Sequence, residues 1–232
     1  MELIWSGLVQ AFWLIVTGDR EVMRITALSL KVSGLATLFS LIVGIPLGSV
    51  IGLARFPGRG FALSLINTGM ALPPVVVGLF VSIMLWRSGP LGVLHLLYSP
   101  TAVVIAQFIL AFPVVTGLTV AAMQQIDPKL RLQLLALGAS RTQLLVQLIK
   151  EVRLSILAAV MAGFGAVISE IGASMMVGGN ILGYTRVLTT ATVLETAKGS
   201  FDIAIALSVI LLGITFLINW ALTAIQQYGS GR

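Results

Sequence analysis

The stretch Leu135-Ala136-Leu137-Gly138-Ala139-Ser140-Arg141 lies in a polar interruption, residues 124–153, of an otherwise apolar chain. The interruption is too polar to cross a membrane, but its leucines at 130, 134, 137, 144, 145 and 148 have helical spacing. We therefore predict a short helix, a break at Gly-Ala-Ser and a second helix. On a basic side of the chain, such a pair is typical of a docking surface for a soluble partner, and an ordinary loop packed on its own bundle is the alternative.

The composition around this stretch is that of a membrane protein. Of 232 residues, 58% are hydrophobic and 9% are charged, whereas globular proteins average about 25% charged residues. The absence of cysteine excludes disulfides and thiolate metal sites. The net charge of +6 comes from basic residues at the ends of apolar segments, so we interpret them as anchors in a lipid bilayer and expect no nucleic-acid partner.

Five segments are long enough to cross a hydrocarbon core of about 30 Å as helices. Residues 88–100 are rich in turn formers and predict a loop, so we place one helix after them, and only the fourth segment contains an ionisable residue, Glu170. The segments are Val32–Ala54, Gly60–Trp86, Thr101–Gln124, Leu154–Val177 and Ile203–Gly231. The sequence thus predicts an all-α membrane protein with five transmembrane helices.

The first seventeen residues form a short apolar segment with a different character. Glu2, Ser6 and Gln10 fall on one helical stripe, and Trp5 and Trp13 are residues that prefer the membrane interface. We expect an amphipathic helix at the membrane surface, joined by a linker that reaches residue 26. A short sixth span is the alternative.

The distribution of Lys and Arg predicts the orientation. In a five-span topology, the segments after the first and third spans and the C-terminal tail share one side of the membrane. That side carries eight basic residues: Arg55, Arg59, Lys129, Arg131, Arg141, Lys150, Arg153 and Arg232. The opposite loops carry Arg87, Arg186 and Lys198, and Arg20, Arg24 and Lys31 near the N-terminus weigh against the count. The positive-inside rule therefore places residues 126–153 and the C-terminus in the cytoplasm.

Two segments carry small residues at helical spacing. In the first span they recur at every fourth position: Ala36, Ser40, Gly44, Gly48 and Gly52. The fourth span repeats the pattern with Ala158, Ala162 and Ala166, beside Ala159 and Gly163. Such rows allow a neighbouring helix to approach closely, so we assign Gly44, Gly48 and Gly52 to helix packing.

Prolines and one acid mark possible breaks in the spans. Pro46 and Pro113 are interpreted as kinks fitted by neighbouring helices, whereas two adjacent prolines at 73 and 74 disrupt a helical turn. Glu170 either faces a cavity or partner, or lies near the aqueous surface because its span ends early. The candidates for a translocation pathway or gate are Pro73, Pro74, Val75, Glu170, Gly172 and Ser174.

The sequence offers no catalytic constellation. His95 is the single histidine, and neither a hydrolase motif nor a Gly-rich phosphate loop is present. We therefore expect a transport subunit with no metal site, no bound cofactor and no ATP site of its own.

The segment around Gly138, followed by two more spans, resembles the permease subunit of a type I ATP-binding-cassette (ABC) importer. Members of that family carry a Glu-Ala-Ala-x-x-x-Gly motif, whose glycine matches Gly138, whereas Arg131–Leu134 departs from the acidic and alanine positions. Further segments are similar to molybdate and tungstate permeases, and Gly18–Val22 with Ser29-Leu30 resembles the tungstate branch. These segments are Ser29–Ser33, Gly44–Gly48, Leu72–Gly78 and Ser169–Ala173.

The resemblance implies one permease domain over residues 1–232, in the cell membrane of a prokaryote. It also implies a second copy of the chain, cytoplasmic ATPase subunits that use ATP and magnesium, and an extracytoplasmic oxyanion-binding protein. The ATPase would dock on Ala136, Leu137, Gly138, Ala139, Ser140 and Arg141, in the coupling loop 126–153. The expected cargo is tungstate, with molybdate or sulfate as alternatives. An ATP-independent transporter or channel is a more distant alternative, because it would need more intramembrane ionisable residues or an inverted repeat.

Overall fold

The structure is a computed structural model that describes residues 2–230, with the side chains of residues 4–227. This part of the chain forms eleven α-helices and a short 3₁₀ turn at Gly92–Leu94. The helices are α1 (Glu2–Val16), α2 (Arg20–Leu53), α3 (Arg59–Met70), α4 (Pro74–Leu85), α5 (Pro100–Gln124), α6 (Pro128–Ala136), α7 (Arg141–Glu151), α8 (Arg153–Ile168), α9 (Gly172–Gly178), α10 (Leu188–Ala197) and α11 (Phe201–Ser230).

Three helices, α2, α5 and α11, are long and apolar enough to cross a membrane. Two bent pairs raise the number to five if each pair counts as one span: α3 with α4, bent by 99°, and α7 with α8, bent by 71°. The all-helical fold with three to five candidate spans agrees with the sequence prediction.

Helix α2 begins twelve residues before the predicted first span. The Asp19 carboxylate caps it by accepting hydrogen bonds from the backbone N–H groups of Glu21 (3.0 Å) and Val22 (2.9 Å). The Glu21 side chain adds negative charge in the first turn, where the helix dipole favours it. A charge-free segment therefore marks the part of a helix suited to lipid, and the helix itself continues beyond it.

The centre of the bundle is the contact between α2 and α5. A Cβ atom on Gly48 would lie 2.6 Å from the carbonyl oxygen of Thr116, so only glycine allows this approach. Gly44 likewise faces Thr116, and Gly52 faces Met123. Residues further along α2 face residues further along α5, so the two helices run parallel. The first and third spans of a five-span chain must have this arrangement.

Of the two rows of small residues in α8, one packs against α5 within the chain. Ala159 and Gly163 are buried, and a Cβ atom on Gly163 would lie 2.7 Å from Val115 Cγ2 of α5. The row Ala158, Ala162 and Ala166, predicted as a packing face, is exposed in the single chain. Spacing identifies small residues but does not say which of two adjacent rows meets a neighbour.

The fourth predicted span, Leu154–Val177, is not one continuous helix. Helix α8 ends at Ile168, and the short α9 begins at Gly172 after a break. The chain then turns through residues 179–187 into α10, which the sequence did not predict. The threonine-rich α10 buries Thr189 and Thr190 against its neighbours, so tertiary packing stabilises a helix of weak apolar pattern.

Helix α1 lies along the beginning of α11. Gly7 faces Ile205, and Ala11 is buried in this contact. Trp5 and Trp13 point outward and are 70% and 60% exposed. The outward face of α1 is thus apolar, and its placement at the membrane surface stays a prediction.

Candidate docking and translocation sites

The polar interruption folds as the predicted pair of short helices. Helix α6 starts with Asp127 as its cap, whose Oδ1 accepts from Lys129 N (2.8 Å), and with Pro128 in its first turn. Helix α7 starts with a capping box. There the Gln143 backbone N–H donates to Ser140 Oγ (3.3 Å), and the Ser140 N–H donates to Gln143 Oε1 (2.9 Å).

The turn between α6 and α7 depends on the conformation of Gly138. Its φ of +82° lies in the left-handed region, which side-chain-bearing residues rarely adopt. The turn closes through backbone hydrogen bonds from Leu137, Gly138 and Ala139 to carbonyls in the last turn of α6, at 3.0–3.1 Å. A Cβ atom at Gly138 would have no heavy atom within 4 Å. The glycine is therefore required by backbone geometry and not by lack of space.

The base of the helix pair is fixed to the bundle. Leu144 and Leu148 of α7 are buried in a cluster with Met123, at the end of α5. Partly buried side chains complete this cluster: Leu53, Ile126, Leu130, Leu134, Ile149, Val152 and Ile156. Because the cluster joins α2, α5, α6, α7 and α8, a force on the helix pair reaches three membrane segments.

The tip of the helix pair is exposed and partly apolar. Leu137 is 85% exposed and Leu132 is 66% exposed, although both belong to a polar segment. The predicted coupling residues Ala136, Leu137, Gly138, Ser140 and Arg141 are exposed, and Ala139 is half-buried. Exposed leucines clustered on a rigid tip are typical of a protein-interaction surface.

Arg131 joins α6 to the end of α2. Its Nη1 donates to the carbonyl oxygen of Leu53 (3.1 Å). Arg131 occupies the region where the sequence departs from the family motif. This contact was missed at the sequence level, because a long-range bond to a backbone carbonyl leaves no residue pattern.

The tandem prolines lie where the predicted second span breaks. Pro73 precedes α4 in an extended conformation and Pro74 occupies the first turn of that helix, so neither removes a hydrogen bond within it. The chain turns by 99° between α3 and α4. Pro73, Pro74 and Val75 are exposed in the single chain.

The break between α3 and α4 lies against the break between α8 and α9. Gly172 lies against Val75, since a Cβ atom there would be 2.8 Å from Val75 Cγ2. Gly78 of α4 lies equally close to the backbone of Ala173 in α9. The structure thus brings the predicted pathway residues of the second and fourth spans together at the contact of α4 with α9.

Glu170 is buried within this contact, with 7% of its surface exposed. Its Oε1 accepts a hydrogen bond from Ala173 N (2.8 Å) in the first turn of α9. Its backbone carbonyl accepts from Thr189 Oγ1 (2.9 Å) of α10. The carboxylate therefore satisfies a backbone N–H group that the break leaves free, and it lies near Val75, since both Glu170 Oε1 and Val75 are within 4 Å of a Cβ atom built on Gly172.

Ser174 is also buried and belongs to a polar chain between three helices. Gln107 Nε2 of α5 donates to Ser174 Oγ (3.3 Å), and Ser33 Oγ of α2 donates to Gln107 Oε1 (3.1 Å). Gln107 and Ser33 were not among the predicted site residues. A lone amide within the apolar stretch Thr101–Phe112 was the available signal, because a polar side chain in a span needs a partner.

No group of three or more potential metal-ligating His, Cys, Asp or Glu side chains occurs in the described part of the chain. His95 lies in the loop before α5, with a φ of 50°. The geometry is that of a membrane bundle with a docking tip and a pair of broken helices.

A family model, binding-protein-dependent transport system inner membrane component, matches residues 44–227. The chain belongs to this family. The match includes the α6–α7 tip and both helix breaks, so the chain is a membrane permease of a binding-protein-dependent transport system.

Three relatives of the permease extend the match to nearly its whole length. It is 39% identical to the tungstate uptake system permease protein TupB of Peptoclostridium acidaminophilum, over 98% of this chain and 100% of the relative. It is 33% identical to TupB of Campylobacter jejuni, over 95% and 92% of the two chains. It is 30% identical to the molybdenum transport system permease protein ModB of Escherichia coli K12, over 88% and 95%.

The fold is shared with permeases of known structure. A chain of the MetNI methionine ABC transporter, in an inward-facing conformation, superposes with a TM-score of 0.72 at 19% identity. The superposition covers 94% of this permease and 97% of that chain. The type I ABC importer fold expected from the sequence is confirmed.

Proposed function

We propose that this permease is the membrane subunit of an ATP-driven importer of tungstate. The observation that carries the proposal is the α6–α7 tip, with exposed leucines on a base packed against the ends of three membrane segments. Tungstate is the favoured cargo because two TupB relatives exceed the molybdenum relative in identity.

The partners follow from the same reasoning. Residues 136–141 are the contact surface for a cytoplasmic ATPase subunit, which binds ATP with magnesium and hydrolyses it. Two copies of the permease enclose the pathway, and an extracytoplasmic binding protein delivers the oxyanion. The α6–α7 tip and the C-terminus then lie in the cytoplasm, in agreement with the distribution of basic residues.

Closure of the ATPase subunits on ATP pushes the α6–α7 tip. The buried Leu144 and Leu148 pass the displacement to the end of α5, and the Arg131 bond passes it to Leu53 at the end of α2. Helix α8, with 16 residues, acts as a rigid rod of about 24 Å up to its break. Motion of that end shifts α9 against α4, and this contact is the moving part of the pathway.

The surface beside the break suits passage of an anion without tight binding. Pro73, Pro74 and Val75 present no charge, and the Glu170 carboxylate is buried and bonded to α9. An anion on this surface therefore meets neither an ion-pair partner nor an exposed negative charge. Selection of the oxyanion then belongs to the binding protein.

The proposal is tested by reconstituting the permease with its ATPase in liposomes and adding the binding protein. Tungstate-loaded binding protein should stimulate ATP hydrolysis and drive tungstate uptake, and molybdate or sulfate should stimulate more weakly at equal concentration. Equal or stronger stimulation by molybdate would reassign the cargo. Uptake that proceeds without ATP would refute ATP-driven transport.

Leu137→Asp supplies the matched loss-of-docking variant. It places a charge at the centre of the exposed tip without touching the buried base, so the ATPase should no longer co-purify. Gln147→Asp, an exposed position in the second half of α7 and outside residues 136–141, is the control that should retain the ATPase.

A further inference from the structure

A polar cavity of about 310 Å³ lies at the end of the bundle that carries the α6–α7 tip. It is lined by Gly52 and Leu53 from the end of α2, Met123 and Gln124 from the end of α5, and the first turn of α6. These are the last residues of two membrane-crossing helices. We therefore expect the cavity at the boundary between hydrocarbon and headgroups.

Three arginines and one aspartate line this cavity: Arg55, Arg59, Arg131 and Asp127. Their formal charges sum to +2. None of the salt bridges within the described residues involves these arginines. Asp127 uses Oδ1 to cap α6, and the lining keeps a net positive charge after this carboxylate is counted.

The three guanidinium groups are differently engaged. Arg59 donates from Nε to the carbonyl of Ile51 (2.9 Å) and from Nη2 to that of Gly52 (3.4 Å). Arg131 donates from Nη1 to the carbonyl of Leu53. Both are thereby held at the negative end of the α2 dipole, with further N–H groups available. Arg55 is exposed and adds a third guanidinium.

Apolar side chains flank the arginines. Phe56 follows Arg55 and is 41% exposed, and Phe61 on the first turn of α3 is 76% exposed. Aromatic side chains beside basic residues at a helix end are typical of a membrane interface. The surroundings thus combine a positively charged cavity with an apolar surface suited to acyl chains.

We propose that this cavity, the Arg55–Arg59–Arg131 pocket, binds the phosphate group of an anionic phospholipid from the adjacent leaflet. Guanidinium groups bind phosphate oxygens through paired N–H donors, and basic pockets between membrane helices bind acidic headgroups. The lipid fills the junction of α2, α3 and α6, which is the connection through which Arg131 links the α6–α7 tip to α2. The proposal does not depend on which oxyanion is transported.

The test counts lipids bound to the full chain in detergent micelles by native mass spectrometry. Phosphatidylglycerol and phosphatidylcholine are added in parallel, and Arg55→Gln is compared with wild type, because Arg55 has no described bond to the fold. Retention of phosphatidylglycerol should fall roughly fivefold in this variant, from the usual contribution of one basic residue near an anionic membrane surface. Arg55→Gln with Arg131→Gln should lower it by about 25-fold if the two add.

Arg87→Gln is the matched control, since Arg87 is also exposed and lies after α4, remote from the pocket in the fold. It should retain phosphatidylglycerol like wild type, and phosphatidylcholine should show no arginine dependence. Unchanged retention in the Arg55 variants would overturn the proposal. A parallel thermal-shift series with inorganic phosphate and tungstate tests whether the pocket binds a soluble oxyanion in place of a lipid phosphate group. Arg55-dependent stabilisation by these ions, without Arg55-dependent lipid retention, would assign the pocket to a soluble anion and overturn the lipid assignment.

Discussion

Replacing Gly138 by valine should uncouple ATP hydrolysis from tungstate uptake. Gly138 holds the turn between α6 and α7 at a φ of +82°, and three backbone hydrogen bonds close the turn around it. Valine is branched at Cβ and strongly disfavours this conformation. Because an added Cβ meets no heavy atom within 4 Å, the damage is confined to the turn and the bundle should remain folded.

The size of the effect follows from the backbone strain. A residue with a side chain in the left-handed region costs about 1–3 kcal/mol, which changes the equilibrium between the closed turn and an open one by roughly 5- to 150-fold. If only the closed turn transmits motion, the amount of tungstate transported per ATP should decrease by up to this factor, and by the full factor where the open turn becomes the major state. Asparagine tolerates the conformation best among side-chain-bearing residues, so the expected order is Gly138, then Asn, then Ala, then Val.

The assay measures tungstate uptake and ATP hydrolysis on the same proteoliposomes for each variant. Gly199→Val is the matched control. Gly199 has a φ of +80° and also no heavy atom within 4 Å of an added Cβ, but it lies between α10 and α11, outside the α6–α7 tip. Wild-type tungstate uptake per ATP in Gly138→Val would refute the reasoning. Equal losses of coupling in Gly138→Asn and Gly138→Val would also refute it, because that result would indicate an effect of side-chain size and not of backbone conformation.

Three further variants test the packing, the pathway and the docking surface. Gly48→Ala should destabilise the bundle by about 1–3 kcal/mol through overpacking and lower the midpoint of thermal unfolding. Gly34→Ala, which has open space around the added Cβ atom, should not lower it. Equal midpoints for the two variants would contradict the close contact of α2 and α5. On the cysteine-free background, Val75→Cys should react with a maleimide at a rate that changes when ATP is added. Ser174→Cys, at a buried position, should stay unlabelled. Labelling of Val75→Cys at the same rate with and without ATP would place that residue outside the pathway. Leu137→Asp should lower the amount of co-purified ATPase at least tenfold, because burying an unpaired charge costs more than 1.4 kcal/mol, and undiminished co-purification would contradict docking at the tip.

The main features of the fold were accessible from the sequence because lipid imposes strong constraints. Four charge-free segments and one with a single acid predicted five membrane segments, and leucine spacing with Gly138 predicted the helix–turn–helix of residues 126–153. The proline pair predicted the break before α4. In each case the determining physics is local: hydrocarbon thickness, helical periodicity or a missing N–H group.

Other features depend on contacts between distant residues. The break at residues 169–171 contains no proline, and its stability comes from Glu170 bonding to α9 and Thr189 bonding to Glu170. Which of the two small-residue rows of α8 meets α5 within the chain, Ala159 with Gly163, could not be read from spacing that both rows share. The Arg131 bond to Leu53 joins residues 78 positions apart, which no periodicity reveals.

The central claim is that the α6–α7 tip contacts a nucleotide-hydrolysing subunit. The most direct measurement places a benzoylphenylalanine photocrosslinker at position 137 and irradiates the membranes of cells that express the importer. The account predicts a crosslink to the ATPase chain whose yield changes when ATP is added. Crosslinks only to lipid or to the permease itself, in a preparation that retains ATP-driven uptake, would contradict it.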